Sequence, residues 1–128
     1  IALSDVRKGA DMFKKVNTPV LGVIENMSGL FLSGKTNNIN SKIEINGEKL
    51  IINKNENFNL NINIFKKDGG QKESERLGVP LLCKIPLSKE IMDATDSGKP
   101  LVIAESANMF GNIYMSLADQ ISEIVESQ

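Results

Sequence analysis

Histidine and tryptophan are absent from this chain of 128 residues, and cysteine and tyrosine occur once each, as Cys83 and Tyr114. With no imidazole and a single thiol, the chain cannot assemble a nitrogen and sulfur metal site alone, and any metal would need a second chain. An internal disulfide framework is excluded for the same reason. An excess of charge of either sign is missing too. The formal net charge of -1 and pI near 5.5 give no electrostatic footprint for nucleic acid or for an acidic membrane surface. No apolar run approaches the ~20 residues of a membrane span and no signal peptide is recognisable, so a soluble, cytoplasmic protein is expected. An initiating methionine is also missing. Leu3, Val6, Ala10 and Phe13 recur at helical spacing with no cap ahead of them, which reads as a cut made inside a helix.

What is present, 41% apolar and 24% charged residues, suffices for one core, and a single domain over residues 1–128 is expected. The stretch Pro19–Ser28, PVLGVIENMS, organises it. Val20, Leu21, Val23 and Ile24 form a short apolar run of the kind buried on both faces of a parallel sheet, with a strand expected over 20–24. Its carboxyl end presents Glu25, Asn26 and Ser28, and in open α/β sheets ligands bind beyond that end. The plainer alternative is a capped strand end. The preceding helix should stop near Val16, before Asn17-Thr18-Pro19.

Gly29–Thr36, GLFLSGKT, fits the phosphate-loop pattern G-x-x-x-x-G-K-[ST]. A working loop opens a helix at its Lys-Thr, so that the helix N-terminus faces the phosphate. Here the chain runs into Asn37-Asn38-Ile39-Asn40, and Leu30-Phe31-Leu32 puts bulky side chains where the backbone must wrap tightly. The match is read as coincidental.

From Ser41 the period changes to two. Lys42–Ile45, Asn46-Gly47 and Glu48–Ile52 read as a type I′ hairpin with Glu44 facing Lys49 and Ile43 facing Leu50. Phe58, Leu60, Ile62 and Ile64 then alternate with asparagines, so an inserted antiparallel β-meander is expected over about 34–63, its three strands lying within 41–65. Asparagine-rich composition also suits disorder, but the alternation is regular. Beyond Asp68-Gly69-Gly70, Gln71–Leu77 reads as a helix closed by Gly78, and 81–85 as a strand stopped by Pro86 with Cys83 as a small core residue. Ser88 can cap a helix ended by Asp96-Ser97-Gly98, Leu101–Ile103 reads as a last strand, and an amphipathic helix should begin near Ser106.

In order, ALSDVRKGADMFKKVNTPVLGVIENMS and IFKKDGGQKESERLGVPLLCKIPLSKEIMDATDSGKPLV resemble the C-terminal half of the Mrp/ApbC-type ATPases, relatives of the septum-site regulator MinD among the deviant phosphate-loop proteins. The resemblance covers roughly residues 1–33 and 64–105. It implies an α/β fold, part of a three-layer phosphate-loop NTPase-type parallel sheet, in a homodimeric, ATP-binding protein that carries iron–sulfur clusters to recipient apoproteins. By resemblance Asn26 would hydrogen-bond the adenine edge, and Pro86, Leu87 and Ser88 would form the loop beside base and ribose. The family's phosphate loop and metal-binding aspartates lie in the N-terminal half, so neither catalytic nor metal-binding residues are expected here and the chain alone should not hydrolyse ATP. The family's C-x-x-C pair is replaced by Leu32-Ser33-Gly34-Lys35, which removes its cluster ligands. Two other readings stand beside this one: a non-catalytic scaffold domain binding a partner by its sheet edge, and a self-contained nucleotide binder using Gly29–Thr36.

Overall fold

The apolar run after Pro19 enters a parallel strand only at Val23, and its partner is the run after Pro80. The computed structural model describes residues 2–37, 42–51, 57–65, 68–103 and 109–128, without the side chains of Ile51 and Ile103. In chain order these form α1 (Ala2–Lys15), β1 (Val23–Lys35), β2 (Lys42–Ile45), β3 (Glu48–Ile51), β4 (Asn57–Ile62), α2 (Gly69–Leu77), β5 (Leu81–Leu87), α3 (Lys89–Ser97), a short 3-10 turn (Leu101–Ile103) and α4 (Met109–Glu126). The result is a mixed α/β fold with parallel and antiparallel pairing. Among the described residues, no helix is long and apolar enough to cross a membrane.

The centre of the larger sheet is β1, in the order β4-β1-β5. Its first part pairs in parallel with β5, from Val23 opposite Leu81 to Asn26 opposite Ile85, and its second part pairs antiparallel with β4, from Leu30 opposite Ile62 to Lys35 opposite Asn57. Between the two lies an irregularity: Met27 adopts φ 54° and the register with β5 shifts between Asn26 and Leu30.

This long strand corrects the expectation of a strand over 20–24, and it settles the phosphate-loop pattern. Gly29–Lys35 is extended, not wrapped, so the reading of a self-contained nucleotide binder using Gly29–Thr36 does not hold. Both pattern glycines have other reasons to be small. A Cβ on Gly29 would lie 2.8 Å from Asn61 Oδ1 and 3.1 Å from the Ile62 carbonyl oxygen, and one on Gly34 would lie 2.5 Å from the Phe58 ring. Close approach of β4, rather than a phosphate, requires them.

The hairpin forms in the expected register, Ile43 opposite Leu50 and Glu44 opposite Lys49, around Asn46 (φ 50°) and Gly47 (φ 82°). The meander does not form among the described residues. β2 and β3 make a two-stranded sheet, whereas β4 joins β1. Alternation told which face of β4 is buried, Phe58, Leu60 and Ile62 inward, but a period of two carries no information about the partner strand. Residues 38–41 and 52–56 of the expected insert, and the expected helix start near Ser106, lie outside the described residues.

Two further expectations are corrected. Pro86 lies inside β5 instead of stopping it, and β5 is an edge strand of its sheet among the described residues, the position where proline is tolerated. Leu101–Ile103 is a 3-10 turn, because three apolar residues leave strand and helix undecided until something packs on them. The helix ends follow expectation. Gly78 and Gly98 adopt φ 67° and 68°, with their N–H groups bonded back to the last turns of α2 and α3.

The buried apolar residues among those described are Ala10, Leu60, Ile85, Phe110 and Leu117. α4 is held on the sheet by the Phe110 ring standing edge-on to Phe31 at 5.4 Å, and by Gln120 Nε2 donating to the Leu82 carbonyl at 3.3 Å.

Candidate functional site

Parallel pairing brings the first part of β1 and the later part of β5 side by side, with Asn26 opposite Ile85 where the regular parallel register ends. Asn26 is exposed, and its Oδ1 accepts from the Met27 N–H at 2.9 Å, holding the irregular backbone at the point where β1 changes partner. Pro86 and Leu87 follow Ile85 and are half-buried. Ser88 is 1% exposed, and its Oγ accepts from the Ile91 N–H at 3.1 Å, the expected cap of α3. The candidate residues therefore meet at one end of the β1–β5 pair, with Ser88 committed to the helix rather than turned outward.

Glu25 sits beside them. Its carboxylate is 3.7 Å from Lys84 Nζ on the neighbouring strand, and Glu25 Oε2 is buried with no hydrogen-bond partner. The start of α2 lies over it: a Cβ on Gly70 would come within 2.8 Å of Glu25 Cβ. The start of α2 is thus close to Glu25, although none of its N–H groups bonds the buried Oε2.

Cys83, expected in the core, is half-buried opposite Ile24, and burial pushes its thiol pKa up, which keeps it protonated. Among the described residues, no group of three or more His, Cys, Asp or Glu is placed to hold a metal ion.

The sequence reading missed a charge cluster behind the site. Glu73, 1% exposed on α2, accepts from Arg7 Nε of α1 at 3.0 Å and from Arg76 Nε at 2.9 Å, while Arg76 Nη1 reaches Asp11 at 2.9 Å. The i,i+3 spacing of Glu73 and Arg76 was visible, but Arg7 and Asp11 join only through the packing of α1 on α2. An apolar hollow of about 540 Å³ opens between α1 and β1 on the same side, bordered by Val6, Phe13, Val20, Val23 and Ile24.

Comparison with known proteins finds a family and several relatives. The sequence model of the ParA family, described as NUBPL iron-transfer P-loop NTPase, matches residues 1–60 and 48–122. An iron–sulfur cluster carrier protein of Pseudomonas fragi is 36% identical over 92% of this chain and 33% of its own length. The iron–sulfur cluster transfer protein NUBPL of Mus musculus is 31% identical over 99% of this chain and 33% of its own. A carrier protein of Aquifex aeolicus is 30% identical over 100% of this chain and 29% of its own. The chain thus spans about a third of the length of the curated relatives it matches.

Proposed function

The chain belongs to the ParA family of NUBPL-type iron-transfer P-loop NTPases, and from that premise we propose that it is the C-terminal portion of an ATP-binding iron–sulfur cluster carrier. Its part is to supply the adenine side of the nucleotide site and a surface of the homodimer that delivers clusters to recipient proteins. The observation that supports this most is the meeting of Asn26 with Ile85-Pro86-Leu87 where the regular parallel pairing of β1 and β5 ends, the side on which a ligand crevice of such a sheet belongs.

With one lone pair of Oδ1 engaged by the Met27 N–H, the side chain of Asn26 keeps its N–H donors for the acceptor nitrogen of an adenine edge and a second lone pair for the neighbouring amino group. Pro86 and Leu87 offer an apolar wall for the ring, and Ser88 fixes the start of α3 beneath it. Bound ATP supplies the transferable phosphoryl group, and the lysine and metal that phosphoryl transfer needs lie, on this reading, outside the chain. The cluster is cargo. With Cys83 as the single cysteine, the residues here do not fit it, and its ligands are assigned to another part of the protein or to a partner subunit.

In protein carrying the complete nucleotide site, Asn26→Ala is expected to weaken ATP binding about tenfold by calorimetry, the ~1.4 kcal/mol of the lost side-chain hydrogen bonds. Lys35→Ala should leave it unchanged. The reverse pattern would return the nucleotide to Gly29–Thr36.

A further inference from the structure

The tip of the β2–β3 hairpin is Asn46-Gly47, and of the asparagines in this chain Asn46 alone is followed by glycine. Every other asparagine precedes a residue with a side chain. The difference is a chemical one. A backbone nitrogen can attack the side-chain carbonyl carbon of the asparagine before it and close a five-membered ring, and the approach is least hindered when the residue bearing that nitrogen has no Cβ. Both reacting groups lie open at this turn. Asn46 and Gly47 are exposed, and a Cβ on Gly47 would meet no heavy atom within 4 Å. Among the described residues, neither the Asn46 side chain nor the Gly47 N–H is hydrogen-bonded. β2 and β3 also form a sheet of their own, and a two-stranded hairpin is only marginally stable in water, so the turn opens and lets Asn46 reach the geometry of attack.

We propose that Asn46 is a self-modification site: the Gly47 nitrogen bonds to Asn46 Cγ, ammonia leaves with the proton that nitrogen gives up, and water opens the resulting succinimide ring to isoaspartate or aspartate. Both products add one negative charge to a hairpin that already carries Glu44 and Glu48. They differ in the backbone. Asp-Gly suits a type I′ turn as Asn-Gly does, whereas isoaspartate carries the chain through its side-chain carbon and lengthens the turn by one backbone atom. A two-residue loop sets the pairing of Ile45 with Glu48 and of Ile43 with Leu50, and that register does not survive the insertion. The isoaspartate form therefore loses the hairpin, while the β4-β1-β5 sheet, which shares no strand with it, is kept.

The test incubates the full chain in mildly alkaline buffer and follows it by tryptic digestion and mass spectrometry, since Ile43–Lys49 is a tryptic peptide with Asn46 as its one asparagine. The mass gain of deamidation is expected there about tenfold faster than at any other asparagine, because the attacking residue has no Cβ. Methylation by an isoaspartyl methyltransferase should mark isoaspartate among the products. Amide exchange over 43–50 should rise as isoaspartate accumulates, while that of Val23–Lys35 stays constant. Asn46→Gly keeps a turn-compatible pair and removes the amide, so its exchange should not change with time; Asn46→Asp should carry the added charge with the hairpin intact. Deamidation spread evenly over the asparagines, an Asn46 that is stable in the folded chain yet deamidates in urea, hairpin exchange indifferent to isoaspartate, or a hairpin lost equally in Asn46→Asp would each overturn the proposal.

Discussion

Phe110→Ala is expected to lower the unfolding free energy by ~3–5 kcal/mol, the cost of removing a well-packed aromatic and leaving a cavity. The side chain is 4% exposed and stands edge-on to Phe31 with an interplanar angle of 83°. It is thus the main apolar link between α4 and the second half of β1. Domains of this size hold only about 5–15 kcal/mol in all, so the variant should unfold at far lower urea and lose α4 protection in hydrogen exchange. A change below ~1 kcal/mol would mean that α4 is not packed on β1 through this pair.

Glu73→Gln is expected to cost ~2 kcal/mol at neutral pH, because a carboxylate that is itself buried loses its charge-assisted hydrogen bonds from the part-exposed Arg7 and Arg76. The Arg76 guanidinium, with Arg7 behind it, holds the Glu73 carboxyl below the usual carboxylate range although burial opposes this. A carboxylate whose folded pKa is depressed contributes stability above its unfolded pKa and loses it as pH falls through the folded value. The gap between the unaltered chain and Glu73→Gln should therefore close in acid, below pH ~4. A gap that is constant from neutral to strongly acid pH would show that packing, not charge, carries the effect.

How much of this was legible in the sequence depended on whether the deciding contact was local. The hairpin register followed from Asn46-Gly47, whose positive φ values leave one way to join the strands. Helix ends were legible from Gly78, Ser88 and Gly98. The length of β1 was not, because its second half exists only through β4, and nothing in Phe58–Ile62 announces that partner. Nor was the Glu73 cluster, since Arg7 lies far from α2 along the chain. Of the site residues, Asn26 was visible as a polar group closing an apolar run. The commitment of Ser88 to Ile91 was visible as capping chemistry, and the buried Oε2 of Glu25 was not visible at all.

The most direct test of the account is where an adenine-linked photoreactive ATP analogue attaches in protein carrying the complete nucleotide site. The account predicts labelled peptides that contain Asn26 and Pro86–Leu87, with labelling competed by ATP and reduced by Asn26→Ala. Label confined to Gly29–Thr36, or absent from this chain while the protein still binds ATP, would contradict it.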